Sequence, residues 1–352
     1  MIASPLKIAW HHEKVASFLA GRSFHPVCIE LDLTTACPRD CELCPKGSSP
    51  RDAELDLPFL ERLFAACARD TRGLLLSGGE PTLSPLLPRA LALARREGFT
   101  EIAVVTSGSG LDDEVVCEAL LTGASVVRVS LYGWEDPQSS GQLAATLGRV
   151  TRLRRSSELA GSPLTVGVSA LTSGPRAHRL EQLTRQVRDA GADWIYFHPL
   201  CDGWGSSSLR RADQTGVATA LAACAGLTTE GFAVHSCRQR YERHAVESGA
   251  YHAASFLLVV GADGLAYVGT EVKYNPAYAL ADLRATDIGR FLTAPDRLAR
   301  CATDSRRYAG TGGFHRGVLY SDLLDALKTG RQDLDATATA ARRAGLRFPH
   351  VL

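Results

Sequence analysis

Between residues 27 and 199 the chain alternates short apolar runs with amphipathic stretches, and this alternation constrains its fold more than any other feature. The runs cover 27–33, 73–77, 101–106, 125–132, 164–170 and 193–197; each has strand length and is bounded by Gly, Pro or polar residues. Helical periodicity fills the gaps. In 58–68, Pro58 suits the first turn, and Leu60, Leu63, Phe64 and Cys67 share one face. Further helices are expected after Pro81, ending near Gly98, and over 112–121, 142–155 and 179–190. Six strand–helix units in register argue an α/β fold with a parallel sheet and right-handed crossovers. Reactive groups of such barrels gather where the strands end. A chain of 352 residues with 45% hydrophobic content has the core for it.

The first run leads into Thr34-Thr35-Ala36-Cys37-Pro38-Arg39-Asp40-Cys41-Glu42-Leu43-Cys44-Pro45. Cys67 and Cys117 fall on apolar helix faces and read as core. Cys37, Cys41 and Cys44 stand instead on a polar, Pro-flanked loop with C-x3-C-x2-C spacing. Soft thiolates suit Fe–S clusters, Zn and Cu(I). Structural zinc normally takes four protein ligands, commonly in paired C-x-x-C form, and no second pair occurs. Three ligands on a [4Fe–4S] cube leave one iron open to an outside molecule. The alternative from another class is a non-enzymatic zinc-binding protein, colourless where an Fe–S protein is brown.

The next strand end carries Gly78-Gly79-Glu80-Pro81. That turn, following the cysteine loop at this point of the fold, resembles the radical S-adenosylmethionine (SAM) superfamily. The resemblance implies a partial (β/α)6 TIM-like barrel over 25–200, with Cys37, Cys41 and Cys44 on a [4Fe–4S] cluster whose open iron holds SAM. It implies that the backbone of Gly78 and Gly79 approaches SAM closely and that Glu80 accepts from its ammonium. By the same resemblance Ser107 replaces the Asn of a common Thr-Asn-Gly motif, Ser130 meets the ribose, and Val168 and Tyr196 flank adenine. Leu43 stands where an aromatic residue is common, and strand five lacks the usual acidic residue.

The rhythm breaks after 200. A loop over 201–208, a helix over 212–225, and strands over 255–260 and 265–268 joined by Ala262-Asp263-Gly264 are expected. The hairpin resembles that of SPASM or twitch domains, but its cluster-ligand position falls on Gly269. Cys201, Cys224, Cys237 and Cys301 are scattered, so 201–352 reads as a degenerate SPASM/twitch-like α+β cap. The alternative is an unfamiliar auxiliary cluster on some of those four. Residues 1–24 read as a helical extension, with a helix over 11–20 ended by Gly21.

The resemblance implies a radical SAM enzyme that removes a hydrogen atom from an unactivated C–H. The favoured substrate is a small polar biosynthetic molecule of sugar, nucleoside or aminocyclitol type, because no N-terminal domain for a leader peptide is evident and the cap is small. Dehydrogenation, epimerisation, deoxygenation or decarboxylation would each be compatible. The alternative is peptide modification within a natural product pathway. Glu30, Asp32, Tyr196, His198, Cys201, Glu271, Lys273 and Tyr274 are the expected substrate face, with Cys201, His198 and Tyr196 as catalytic candidates and Cys201 as hydrogen-atom donor. A flavodoxin- or ferredoxin-like protein is the expected electron donor. A net charge of +1 without a basic tract argues against nucleic acid. The absence of an apolar signal core or spanning run argues against a membrane and for the cytoplasm.

Overall fold

The computed structural model describes residues 4–352 apart from 40, 42–43, 45–51, 69, 132–133, 135–139, 203–209, 238, 243–250 and 306–315. Helices α1 (Leu6–Trp10) and α2 (His12–Leu19) lead into β1 (Cys28–Thr34). The six expected strands are β1, β2 (Gly73–Gly78), β3 (Glu101–Thr106), β4 (Val126–Leu131), β5 (Thr165–Thr172) and β6 (Trp194–Pro199). All six are parallel neighbours in that order. Helices α3 (Leu57–Cys67), α4 (Leu87–Arg96), α5 (Glu114–Gly123), α6 (Ser140–Leu159) and α7 (Leu180–Asp189) make the crossovers. Local capping fixes their starts: Asp56 accepts from the Phe59 amide ahead of α3, and Asp113 from the Val115 and Val116 amides ahead of α5. This is the α/β architecture of a partial TIM-like barrel with a C-terminal extension.

The extension joins the barrel sheet directly. A short ribbon, β7 (Cys201–Asp202) with β8 (Arg210–Arg211), begins it where a plain loop was expected; 203–208 of that loop lie outside the described residues. Helix α8 (Val217–Ala225) then leads to β9 (Ala233–Ser236), a parallel neighbour of β6 that the sequence reading missed. Unlike the wholly apolar strand Leu257–Val260 further on, its Ala-Val-His-Ser is neither an apolar run nor a clean alternation. After α9 (Gln239–Glu242) comes β10 (Leu257–Val260), which pairs in parallel with β1. The expected hairpin continues outward through β11 (Leu265–Tyr267) and β12 (Ala279–Asp282). The ten strands therefore form one sheet, β12-β11-β10-β1-β2-β3-β4-β5-β6-β9. Helices α10 (Ile288–Thr293), α11 (Arg297–Ser305), α12 (Arg316–Lys328) and α13 (Leu334–Arg343) complete the chain.

β1 is buried along its whole length, although its alternation of Ile, Leu, Glu and Asp ordinarily marks a half-exposed strand. With β2 and β10 on either side, its polar face looks into the barrel, leaving Glu30 3% and Asp32 2% exposed. The opposite end is closed by residues 347–352. Glu101, first in β3, accepts from the His350 and Val351 amides at 2.7 and 3.1 Å, and buried Lys7 donates to the Val351 carbonyl at 2.6 Å. At Gly73, first in β2, a Cβ would lie 2.0 Å from the His350 carbonyl oxygen, so this crossing requires glycine.

Burial keeps several imidazoles neutral in the folded chain. It lowers the pKa of His11 to about 3 and depresses those of His198 and His252. In the unfolded chain each titrates near about 6.5. Between that value and the lowered folded values the unfolded state binds more protons, so stability is lost as pH falls. The Tm of the metal-free protein should drop from about pH 7.5 to about pH 5.5, with at most about 1.4 kcal/mol lost per pH unit per fully depressed histidine. A Tm that is flat or rises over that range contradicts this account.

Candidate active site

The mouth of the barrel is built around an interlock between the cysteine loop and the turn after β2. β1 and β2 shift register between Asp32 and Thr34, and the chain then leaves the sheet. The amides of Gly79 and Glu80 donate to the carbonyls of Thr34 and Ala36 at 2.7 and 2.8 Å. Gly78 has φ +131°, and a Cβ on Gly79 would lie 2.1 Å from the Ala36 oxygen. Both glycines are therefore dictated by backbone contact. Thr34 Oγ1 accepts from the Ala36 amide, and Thr35 shares three hydrogen bonds with Ala53, two of them through its hydroxyl, which fixes where the loop departs. The Cys44 amide donates to the Cys41 carbonyl at 3.1 Å.

Cys37, Cys41 and Cys44 line one cavity together with Gly78, Gly79, Ser107 and Ser130. The same cavity is lined by Tyr196, His198 and Cys201 at the end of β6, and by Glu30, Asp32, Glu271, Lys273 and Tyr274. Leu171 brings in β5, so residues from all six barrel strands and a tail segment share one space. Two expected members differ. Glu80 is fully buried and does not line the cavity: Oε1 accepts from the Thr82 amide and hydroxyl and the Thr106 hydroxyl, and Oε2 from the Ser107 amide at 2.6 Å. Its carboxylate anchors β2 to β3. Val168 is also fully buried away from the cavity; the two-residue strand period turns Ser169 toward Ser130, with their hydroxyls 3.4 Å apart. Leu43, Tyr132 and Gly133 lie outside the described residues.

The β6 wall stacks Tyr196 on His198, ring centroids 5.6 Å apart. Arg240 donates to the Tyr196 hydroxyl at 3.1 Å, and the Cys201 thiol donates to the Pro199 carbonyl at 3.2 Å. Burial, then Arg240 and Arg128, push the His198 pKa well down. The facing wall is a buried ion cluster. Lys273 reaches Asp32 at 2.7 Å and Glu30 at 3.4 Å. Tyr274 and Ser77 each donate to Asp32 at 2.7 Å, and Thr270 to Glu30 at 2.9 Å. Burial disfavours the Lys273 ammonium, but Asp32 and Glu30 outweigh it and hold its pKa above the ordinary value. Burial and Asp32 raise that of Tyr274. Arg39, Ser77, Arg128, Arg240 and Thr270 line the cavity without having been singled out in the sequence. Only Arg128 carried a signal, as one charge within Val126-Val127-Arg128-Val129.

Residues 31–156 match the family model of the Radical SAM superfamily. PqqA peptide cyclase of Streptomyces rochei is 32% identical over 186 residues, 51% of this chain and 50% of that protein. GTP 3′,8-cyclase of Synechococcus sp. (strain CC9902) is 34% identical over 125 residues, 34% of this chain and 36% of that protein. The chain thus spans half or less of the length of these curated relatives. Among solved structures, Streptococcus suis SuiB bound to precursor peptide SuiA superimposes with a TM-score of 0.60 at 11% identity, covering 82% of this chain and 69% of that one. Residues 31–156 thus carry a likeness to the radical SAM superfamily, a class of enzymes whose cofactors are a [4Fe–4S] cluster and SAM.

The donor set fits that cluster. Cys37, Cys41 and Cys44 line one cavity and are soft thiol donors of the kind such a cluster takes. Among the described residues, no helix is long and apolar enough to cross a membrane.

The ion cluster yields a stability test. Lys273→Met leaves two buried carboxylates without their ammonium, so it should destabilise the metal-free protein by about 3–5 kcal/mol in denaturant unfolding. Wild-type stability in this variant would show that the carboxylates are not held as charges.

Proposed function

We propose that this chain is a radical SAM enzyme that removes a hydrogen atom from a peptide substrate. The observation that carries the reading is the shared cavity, where the three thiols and the glycine turn face the Glu30–Asp32–Lys273 wall. Cys37, Cys41 and Cys44 would hold the cluster, and Gly78, Gly79, Ser107 and Ser130 would hold SAM. When bound and reduced by a ferredoxin- or flavodoxin-like donor, these groups supply a 5′-deoxyadenosyl radical that abstracts hydrogen from carbon. The chain's own residues orient the substrate and keep water away. Lys273, Glu30 and Asp32 offer a charged wall, and Tyr196 and His198 a flat one. Cys201 presents a thiol from which a hydrogen atom can return to the substrate. Gly269 and the segment after it would form a SPASM/twitch-like wall without a cluster ligand.

The peptide reading displaces the expectation of a small polar substrate. The similarity to a peptide cyclase runs over a longer stretch than that to a GTP cyclase, and the superimposed SuiB holds a precursor peptide. A nucleotide-like substrate is the second reading, favoured by the 34% identity to GTP 3′,8-cyclase. The experiment is anaerobic incubation of the reconstituted enzyme with SAM, reductant and perdeuterated candidates: peptides encoded beside its gene, and nucleoside triphosphates. Mass-spectrometric transfer of deuterium into 5′-deoxyadenosine from a peptide supports the first reading; transfer from a nucleotide alone overturns it.

Reconstituted protein should hold about four irons, and changing Cys37, Cys41 and Cys44 together to Ala should remove them all. About four irons left in that variant would reveal a second cluster. Glu80→Ala should keep its iron but lose about 1–3 kcal/mol of stability, because buried donors lose their acceptor. Retained stability with weakened SAM binding would return Glu80 to the ligand role. Cys201→Ala should still deuterate 5′-deoxyadenosine yet fail to form a redox-neutral product; wild-type product yield would remove Cys201 from the mechanism.

A further inference from the structure

Arg39 lies inside the cysteine loop, between Cys37 and Cys41, and lines the same cavity as the three thiols. Its guanidinium donates to the carbonyl oxygen of Ser107, just past β3, at 3.0 Å. The Ser107 amide donates to Glu80 at 2.6 Å, and the Glu80 amide donates to Ala36, the residue before Cys37, at 2.8 Å. These three bonds and the covalent path from Ala36 to Arg39 close a ring with Cys37 in its covalent edge. Two sides of the ring are made by the fully buried Glu80. The third is a long, half-buried side chain reaching from the loop itself to a neighbouring strand end.

We propose that Arg39 is a positioning residue, a cationic latch that ties the cysteine loop to the end of β3 and keeps a positive charge beside the three thiols. The inference rests on reading those thiols as cluster ligands. A loop fixed at its root and again at Arg39 has fewer arrangements open to it, so its ligands are pre-organised. The reduced form of an Fe–S cluster carries one more negative charge than the oxidised form. A nearby cation therefore favours reduction and raises the potential, the more so where water is scarce.

Three substitutions separate tether from charge. Arg39→Lys keeps a donor and the charge, Arg39→Gln keeps a donor alone, and Arg39→Ala keeps neither. Each is reconstituted anaerobically as the full chain. Iron per chain is counted, the cluster is titrated with dithionite under EPR, and hydrogen exchange is followed over 34–44. Arg39→Lys should match the wild type throughout. Arg39→Gln should keep iron and slow exchange but show a lower potential. Arg39→Ala should show a lower potential, an altered EPR signal and faster exchange of the loop. Iron loss in Arg39→Ala with retention in Arg39→Lys also supports the latch.

An Arg39→Ala protein with wild-type potential, signal and exchange overturns the proposal. So does equal iron loss in all three variants, since Lys retains both donor and charge. Wild-type potential in Arg39→Gln removes the electrostatic half. A wild-type chain that binds no cluster instead defeats the reading of the thiols, which separates that failure from failure of the latch.

Discussion

The mouth of this barrel depends on one buried carboxylate. Glu80 collects four hydrogen bonds from Thr82, Thr106 and Ser107 while its own amide holds Ala36. A carboxylate removed from water is costly unless its lone pairs are met. Here they are met by donors from two different strand ends, so the same contacts that satisfy the charge fix β2 against β3. The cysteine loop inherits its position from that junction. Gly78 and Gly79 are the steric consequence, since the loop's carbonyls occupy the space where their side chains would be.

The second structural commitment is the buried Lys273 network. Glu30 and Asp32 face inward from β1 and would be untenable there alone. The tail supplies Lys273, Tyr274 and Thr270, and thereby becomes one wall of the cavity. Pairing β10 alongside β1 brings the segment after β11 to that depth. Ion pairs of this kind are poor sources of net stability but strong determinants of arrangement, because leaving either partner unpaired is so costly. The sequence places of Glu30 and Lys273 look unrelated until the parallel β1–β10 pairing is known.

The barrel strands were legible because each is an apolar run of the right length between helical periods. The cysteine ligand candidates and the glycine turn were legible because backbone crowding and soft-metal chemistry restrict residue type. Orientation was harder to read. Glu80 and Val168 belong to the right strand ends, but one carboxylate turned toward internal donors and one strand face turned away. β9 has neither an apolar run nor an alternation to mark it, and the pairing of β10 with β1, which carries the cap hairpin into the barrel sheet, has no local sign in the sequence. Arg39 and Arg240 reach the cavity from segments whose local pattern says nothing of depth.

Parallel pairing of β10 with β1 joins segments more than two hundred residues apart in the chain. Contacts of such separation form late, because a long loop must close before they repay its entropy. During synthesis the three thiols emerge with the first strand, while the lysine that neutralises Asp32 and the tyrosine that donates to it come more than two hundred residues later. Until then Asp32 must remain hydrated and the mouth open. The three thiols are therefore most accessible before the tail pairs with β1, and that pairing narrows the way to them.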